Sequence, residues 1–234
     1  MNTNYQHIKV IGFDADDTLW VNETYFREAE EEFASLLSGF ETKNKIDQEL
    51  FKKEIENLST YGYGVKGFTL SMVEMAIELS NNTISNQVIS KILDIGKRMI
   101  HEKVELLEGV ESVLKELSQN YRLIVATKGD LLDQERKLEK SGLLDYFHHI
   151  EVLSDKKEGD YTKLLNHLDV KPSEFLMVGN SLKSDVLPLV NIGAKAIHVP
   201  FHTTWEHEQV KVDHQKSKTY ETITRIIDVL KLLN

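Results

Sequence analysis

Hydrophobic residues follow two spacings along this chain of 234 residues, and each spacing predicts a different kind of element. Short continuous apolar runs, rich in Val, Ile and Leu, occupy 8–13, 122–126, 150–153, 175–178 and 195–199. Runs of this length are typical of strands that are buried on both faces of a sheet. Around the later runs, apolar residues recur every three or four positions, as on one face of a helix, at 109–119, 130–143, 160–168 and 220–233. Strands that alternate with helices predict βαβ units and a mostly parallel α/β sheet.

The interval between the first and second apolar runs is too long for an ordinary crossover. It carries amphipathic helical patterns and no convincing strand, at 23–37, 46–58, 68–80 and 86–100. A crossover between parallel strands needs only about a dozen residues and its turns. We therefore predict an inserted α-helical domain at 21–105 and a Rossmann-like core formed by 1–20 and 106–234. The alternative is that these helices pack on one face of the sheet.

Composition argues against several classes of partner. The formal net charge of −10 disfavours nucleic acid, because a phosphate backbone is bound by clustered Lys and Arg. No apolar run approaches the ~18 residues of a membrane span, and the first residues lack the basic and apolar regions of a signal peptide. The chain has no cysteine, which leaves out disulfides and thiolate metal sites. We expect a cytoplasmic protein that acts on small molecules, away from membranes.

The first apolar run ends in a cluster of carboxylates. Asp14, Asp16 and Asp17 follow it within four positions, and carboxylates this close repel one another unless a cation or backbone N–H groups compensate their charge. Clustered oxygen ligands are those that Mg²⁺ prefers. Asp and Thr are also good helix caps, so a turn followed by a helix is the alternative for this segment taken alone.

Polar groups that suit a phosphate or a metal also follow the next three strands. Ligands of an open α/β sheet gather beyond the carboxyl ends of its strands. A hydroxyl, a lysine and a glycine, Thr127, Lys128 and Gly129, follow the second run. A single lysine, Lys156 or Lys157, follows the third run. A glycine with two oxygen ligands, Gly179, Asn180 and Asp185, follows the fourth run. Each feature also has an ordinary structural explanation, such as a loop lysine or an Asn helix cap.

Taken in this order, the segments resemble the four motifs of the haloacid dehalogenase-like superfamily. The DxDx(T/V) motif is matched by 14–18, the second-motif hydroxyl by Thr127, the third-motif lysine within 156–157, and the acidic fourth motif by 179–185. The helical insert resembles the C1-type cap of the family. This resemblance spans nearly the whole chain, and its first motif is highly specific.

The resemblance implies a phosphoryl-transfer mechanism. Asp14 would attack phosphorus and form an aspartyl-phosphate, and Asp16 would protonate the leaving oxygen and then activate water. Thr127 would hydrogen-bond the transferring group, which a lysine would hold together with Asp14. We favour Lys156 over its neighbour because it is nearer the strand end. Asp17 has no implied role and is expected to be a turn or hinge residue.

The implied Mg²⁺ ligands come from the first and fourth motifs: Asp14, the backbone carbonyl of Asp16, Asn180 and Asp185. Two residues depart from the family pattern. Asn180 stands where the family usually has Asp, so we expect Mg²⁺ to be held more weakly. Lys128, where many relatives have Asn, places a second cation beside Gly129 at the phosphate site.

The helical insert is expected to close over the site and to contact the substrate. Its candidate contacts are Tyr63 and Lys66, in a segment at 59–68 that holds three aromatic residues among three glycines. The alternative is an ordinary interhelical loop whose aromatic residues pack beneath it.

The whole pattern predicts a Mg²⁺-dependent phosphatase that hydrolyses a small phosphorylated metabolite, as a monomer or homodimer. An acid at Asp16 favours this over a dehalogenase, because a departing halide needs no proton. The alternatives are a phosphomutase and a catalytically weak or retired scaffold that acts as a binding protein. The segment 198–208 holds His198, His202 and His207 in a spacing that fits no tight zinc motif.

Overall fold

The computed structural model describes residues 5–210 and 219–233. The chain forms two compact units. The first unit consists of residues 1–23, 104–128 and 135–234. The second unit consists of residues 24–103 and 129–134. In the described part of the chain, no helix combines the length and the apolar character that crossing a membrane requires.

A parallel sheet is the framework of the first unit. Its described strands are β1 (Val10–Phe13), β2 (Arg122–Lys128), β3 (His149–Leu153), β4 (Phe175–Gly179), β5 (Lys195–His198) and β6 (Glu221–Thr222). Their order in the sheet is β3-β2-β1-β4-β5-β6, and each of these neighbouring pairs is parallel. The predicted mostly parallel α/β fold is confirmed.

Alternate residues of the central strands enter different hydrophobic clusters. In β1, Ile11 and Phe13 belong to one cluster and Val10 belongs to another, and β2 and β4 alternate in the same way. Successive side chains of a strand point to opposite faces of the sheet, so both faces are covered by apolar residues. This burial explains why the strands appear in the sequence as continuous apolar runs.

Helices connect the strands of the first unit. The predicted patterns at 109–119, 130–143 and 160–168 form α5 (Val110–Leu117), α6 (Leu131–Ser141), whose first residues belong to the second unit, and α7 (Glu158–His167). After β4 the chain makes a π-helical turn (Leu182–Val186) and a short helix, α8 (Leu187–Asn191).

The predicted C-terminal helix at 220–233 is wrong over most of its length. The first residues of this segment form β6, which pairs with β5 at the edge of the sheet. A 3₁₀ turn (Ile226–Asp228) then leads into α9, which covers only Val229–Leu233. The residues at 222–224 are all β-branched, and such residues favour a strand when a sheet edge is available to pair with.

Four helices make up the second unit from Thr24 onward: α1 (Glu23–Leu36), α2 (Lys43–Tyr61), α3 (Val65–Leu79) and α4 (Asn86–His101). Their apolar faces share one hydrophobic cluster, in which Phe33, Ile46, Met72 and Ile92 are fully buried. Amphipathic helices bury their apolar faces against one another in this way. The four predicted helices are confirmed, and their interpretation as a cap stays a prediction.

Candidate active site

The carboxyl ends of β1, β2 and β4 bring three predicted site residues to one edge of the sheet. Asp14 directly follows β1, Asn180 directly follows β4, and Thr127 lies at the end of β2. The backbone N–H of Asp14 donates to the carbonyl oxygen of Val178 at 2.9 Å, which continues the pairing of β1 and β4 up to this edge. Neighbouring parallel strands that end together form the usual ligand site of an open α/β sheet.

Lys156, in the loop after β3, contacts two buried carboxylates. Its Nζ lies 2.5 Å from Oδ1 of Asp14 and 2.6 Å from Oδ1 of Asp185, and its side chain is only 1% exposed. Lys157 instead pairs with Asp155 at 2.7 Å, and its side chain is 74% exposed. Of the two candidate lysines, Lys156 is therefore the one that lies beside Asp14.

Burial shapes the protonation of this cluster. Burial raises the pKa of Asp14 to about 7; the Lys156 ammonium opposes this shift, and the Asp185 carboxylate adds to it. Burial alone would lower the pKa of Lys156, but the carboxylates of Asp14 and Asp185 outweigh it and raise that pKa well above its ordinary value. The ammonium is thus retained at neutral pH, where it compensates the buried carboxyl groups.

Asp185 is held from two sides in the π-helical turn after β4. Its Oδ1 accepts from Lys156 at 2.6 Å, and its Oδ2 accepts from the backbone N–H of Ser181 at 2.9 Å. The carboxylate packs against Gly179, where an added Cβ would lie only 2.4 Å from Cγ of Asp185. Position 179 therefore has to lack a side chain for Asp185 to reach Lys156.

Thr18 links Asp14 to Asn180. Its hydroxyl donates to Oδ2 of Asp14 at 3.1 Å and lies 3.4 Å from Oδ1 of Asn180. The same hydroxyl accepts from the backbone N–H of Asn180 at 3.1 Å. Oδ2 of Asp14 and Oδ1 of Asn180 therefore both lie next to the Thr18 hydroxyl, at the carboxyl ends of β1 and β4.

The Asp16 carboxylate is held by two donors that sequence reasoning missed. Its Oδ1 accepts from Nε1 of Trp20 at 2.8 Å and from Nζ of Lys137 at 2.9 Å. Lys137 lies on α6 and also donates to Oδ1 of Asn22 at 2.8 Å. In the sequence, Lys137 is one of several charged residues of an amphipathic helix, so no local signal distinguishes it.

Asp17 supports the start of α1. Its φ of 61° is left-handed, and its carboxylate accepts from the backbone N–H groups of Asn22 and Glu23 at 2.9 and 3.0 Å. Glu23 is the first residue of α1, and a helix leaves such N–H groups without a partner of its own. Burial raises the pKa of Asp17 to about 8. The turn conformation expected for this residue is observed.

The end of β2 places Lys128 next to residues that follow β4 and β5. Thr127 is buried, and its hydroxyl donates to the carbonyl oxygen of Lys128 at 3.2 Å. Nζ of Lys128 donates to Oγ of Ser184 at 3.0 Å and to Oε1 of Glu208 at 2.5 Å. Gly129 has a φ of 134°, which only glycine adopts readily. Sequence reasoning did not single out Glu208, because an acidic residue in a loop has an ordinary explanation.

The two predicted substrate contacts of the helical insert, Tyr63 and Lys66, lie in the second unit. The loop between α2 and α3 is shorter than the predicted segment 59–68, because only residues 62–64 separate the two helices. Tyr63 lies in this loop. Lys66 is on α3, and its Nζ lies 2.8 Å from Oδ1 of Asp130, another residue of the second unit.

The histidines of segment 198–208 have separate partners. Nε2 of His207 lies 3.1 Å from Nζ of Lys183, and His202 packs on Phe201 with ring centroids 4.1 Å apart. In the described stretches of the chain, no group of three or more His, Asp and Glu side chains is arranged to hold a metal ion. A metal at the edge of the sheet would therefore need amide and backbone oxygens in addition to carboxylates.

Known proteins are similar to the chain over most of its length. Residues 8–193 match the sequence model of the haloacid dehalogenase-like hydrolase family. N-acylneuraminate-9-phosphatase of Homo sapiens is 27% identical over 202 residues, which cover 81% of each chain. Glyceraldehyde 3-phosphate phosphatase of Pyrococcus furiosus is 25% identical over 97% of this chain and 94% of its own. A solved haloacid dehalogenase-like family hydrolase from Xanthomonas campestris is 36% identical, with a TM-score of 0.84 over 97% of this chain and 96% of its own.

Proposed function

Because the chain belongs to the haloacid dehalogenase-like hydrolases and is a phosphoric monoester hydrolase, we propose that it hydrolyses a small phosphorylated metabolite with Mg²⁺, through an aspartyl-phosphate. The observation that carries this proposal is the buried contact of Lys156 with both Asp14 and Asp185. A fixed cation in a water-poor site attracts a phosphoryl group strongly.

Asp14 is the proposed nucleophile. A carboxylate oxygen of Asp14 attacks phosphorus, the bond from phosphorus to the ester oxygen breaks, and water then hydrolyses the acyl phosphate in a second step. Lys156 favours the ionised form of Asp14 and reduces its repulsion of the phosphate, in opposition to the burial that raises the pKa of Asp14. Thr127 lies at the end of the neighbouring strand, where it is proposed to hydrogen-bond the phosphoryl group.

Asp16 is the proposed general acid and base. In the first step it protonates the departing ester oxygen, and in the second it takes a proton from the attacking water. The contacts of Trp20 and Lys137 with Oδ1 fix the direction of this carboxylate.

The residues at this edge fit a Mg²⁺ ion. The oxygens of Asp14 and Asn180 that flank Thr18 are hard ligands of the kind that Mg²⁺ binds, and we propose the backbone carbonyl of Asp16 as a third ligand. Both carboxylate oxygens of Asp185 already accept hydrogen bonds, so this residue is assigned first to holding Lys156. When bound, the ion supplies positive charge that offsets the repulsion between the nucleophile and the phosphate.

The relatives suggest the class of substrate. The human relative is named for a sugar-acid phosphate and the archaeal relative for a triose phosphate, and both names denote small phosphorylated metabolites. We propose a substrate of this class, with Lys128 and Gly129 at its phosphate. We further propose that 21–105 is a cap that contributes Tyr63 and Lys66. A cytoplasmic location and a monomeric or homodimeric state stay predictions.

A second candidate function is a binding protein on a scaffold that no longer turns over. Asn180 is the feature that favours it, because an amide supplies a ligand oxygen without the charge of a carboxylate. A phosphomutase is the third reading. It uses the same nucleophile as the hydrolase. It differs in transferring the phosphoryl group back to a substrate molecule instead of to water.

The test is release of inorganic phosphate from a panel of sugar, triose and sugar-acid phosphates, with and without Mg²⁺. The key variant is Asp14→Asn. Its matched control is Asp145→Asn, which makes the same change at an exposed position of the same unit.

Activity that needs Mg²⁺ and disappears only in Asp14→Asn supports the phosphatase. Equal activity of the two variants would overturn the role of Asp14. Substrate isomerisation without phosphate release would favour the phosphomutase, and no reaction with any ester would favour the binding protein.

A further inference from the structure

Glu208 is a partly buried acidic residue that the proposed mechanism does not use. It ends a short 3₁₀ helix (Glu206–Glu208) after β5, and its side chain is only 13% exposed. Oε1 accepts from Nζ of Lys128 at 2.5 Å, while Oε2 accepts from the hydroxyls of Ser181 and Ser184 at 2.5 and 2.6 Å. The end of β2 and the turn after β4 thus converge on one carboxylate from the segment after β5.

These contacts keep Glu208 charged. Burial would raise its pKa, but the Lys128 ammonium and the hydrogen bonds from Lys128 and the two serines outweigh burial and lower the pKa of Glu208 to about 2. A partly buried carboxylate that faces a partly buried ammonium is compensated, whereas either group alone would be a costly unpaired charge. At neutral pH the pair carries no net charge.

The Glu208 pair is connected to the proposed phosphoryl site by an unbroken series of hydrogen bonds. Ser181 donates its hydroxyl to Glu208 and its backbone N–H to Asp185. Asp185 in turn accepts from Lys156, which donates also to Asp14. Lys128 is the last residue of β2, and its Nζ also donates to Oγ of Ser184, the residue directly before Asp185, so the charge that Glu208 compensates is linked to the same turn.

We propose that Glu208 is a positioning residue that sets how strongly this site holds a phosphate anion. It neutralises Lys128 and directs the ammonium toward Ser184, so that the positive charge of the site comes mainly from Lys156. Without the Glu208 carboxylate, the Lys128 charge acts on the bound anion, and product phosphate leaves more slowly. This inference rests on the proposed function, because it places the phosphate beside Thr127.

The first test measures the affinity for inorganic phosphate by calorimetry, with Mg²⁺ present throughout. Glu208→Gln keeps the shape of the side chain and removes its charge. Glu206→Gln makes the same change in the same 3₁₀ helix, at an exposed position. We expect phosphate to bind about fivefold more tightly to Glu208→Gln, because a charge next to the anion loses its compensation. Equal affinity in the two variants and the wild type overturns the inference.

The second test adds Lys128→Asn/Glu208→Gln, in which both charges are removed. Because neighbouring charges couple, the double variant is expected to return to the phosphate affinity and melting temperature of the wild type more closely than Glu208→Gln does. A double variant that keeps the tighter binding of Glu208→Gln contradicts the assignment of the extra attraction to Lys128.

These results are separable from the proposed function. Tighter phosphate binding in Glu208→Gln, from a wild type that hydrolyses no ester, would support the role of Glu208 and overturn the phosphatase. Normal hydrolysis by the wild type, with unchanged phosphate affinity in Glu208→Gln, would do the reverse. In an active enzyme we also expect Glu208→Gln to lower KM and kcat together, since product leaves more slowly.

Discussion

Lys137 and Asp16 are 121 positions apart in the sequence, and their side chains meet at 2.9 Å. The same ammonium donates to Asn22 at 2.8 Å, so a residue of α6 fixes two residues of the segment that follows β1. A group that transfers a proton has to be held within hydrogen-bond reach of its target. In the proposed reaction, Lys137 is therefore a positioning residue for the general acid.

The change Lys137→Met tests this relationship. Loss of the ammonium removes one of the donors that hold Asp16, while the donor from Trp20 is kept. We expect kcat/KM, which reports the steps up to departure of the ester oxygen, to fall about tenfold for an alkyl phosphate, whose leaving oxygen needs a proton. It should change little for p-nitrophenyl phosphate, whose leaving group needs none. The measurement is the steady-state rate with both esters.

Lys140→Met is the control for this prediction, because Lys140 is an exposed residue of the same helix. Equal losses of kcat/KM with the two esters in Lys137→Met would contradict the link to protonation of the leaving oxygen. Recovery of the alkyl-phosphate rate in Lys137→Arg would strengthen it, since arginine can restore the charged donor.

The neighbouring lysines 156 and 157 provide a matched pair for a stability prediction. Lys156→Met leaves the buried carboxyl groups of Asp14 and Asp185 without their shared cation. We expect the free energy of unfolding to fall by about 3 kcal/mol and phosphate release to be lost. Lys157→Met removes an exposed ion pair and is expected to change stability by less than about 0.5 kcal/mol.

Urea unfolding and phosphate assays on both variants decide the point. A large loss of activity in Lys157→Met, with normal activity in Lys156→Met, would show that Lys157 and not Lys156 contacts the phosphate. Loss of stability without loss of activity in Lys156→Met would make the Lys156 cluster purely structural.

The sheet was predictable because burial on both faces leaves continuous apolar runs in the sequence. The residues of β1 show this directly, since all four positions are buried. The strand β6 was missed because Glu221–Thr222 is too short to leave a run, and its pairing depends on the edge of β5. The spacing of apolar residues at 220–233 fits a helix, but sheet pairing prevails over its first part.

The candidate site divides in the same way. Asp14, Thr127 and Asn180 could be proposed because each stands at a strand end, and parallel strands bring such ends together. Lys137 and Glu208 could not, because their contacts depend on how a helix and a loop pack in three dimensions. The choice between Lys156 and Lys157 also needed the structure, since adjacent residues of one loop point in different directions.

Glu208 is expected to make the folded chain less stable as the pH falls. Its pKa in the fold is lowered from an ordinary 4.5 to about 2, so the fold favours the ionised form. Its contribution to stability is complete above the unfolded-state pKa and is lost as pH falls from about 4.5 toward 2. A pKa shift of this size corresponds to about 3 kcal/mol in the free energy of unfolding.

We therefore expect Glu208→Gln to be less stable than the wild type at pH 6 and to approach it as the pH is lowered. Urea unfolding at a series of pH values below 6 measures the difference. Glu206→Gln should follow the wild type throughout. A difference between Glu208→Gln and the wild type that stays constant with pH would show that the ionisation of Glu208 contributes nothing to stability.

Asn180→Asp addresses the departure from the family pattern at the proposed metal site. A carboxylate adds negative charge beside Asp14, and Mg²⁺ is bound more tightly as the charge of its oxygen ligands increases. We expect the Mg²⁺ concentration for half-maximal phosphate release to fall about tenfold. Asn166→Asp, an exposed change of the same charge on α7, should leave it unchanged.

The rate at saturating Mg²⁺ then separates two meanings of the asparagine. If Asn180 only weakens metal binding, the wild type and Asn180→Asp converge when Mg²⁺ is in excess, and the natural chain is a phosphatase adjusted to higher Mg²⁺. If the amide marks a scaffold that no longer turns over, the wild type stays inactive at every Mg²⁺ concentration while Asn180→Asp gains activity. Calorimetric titration with Mg²⁺ gives the affinity independently of turnover, and an unchanged affinity in Asn180→Asp would remove this residue from the proposed ligands.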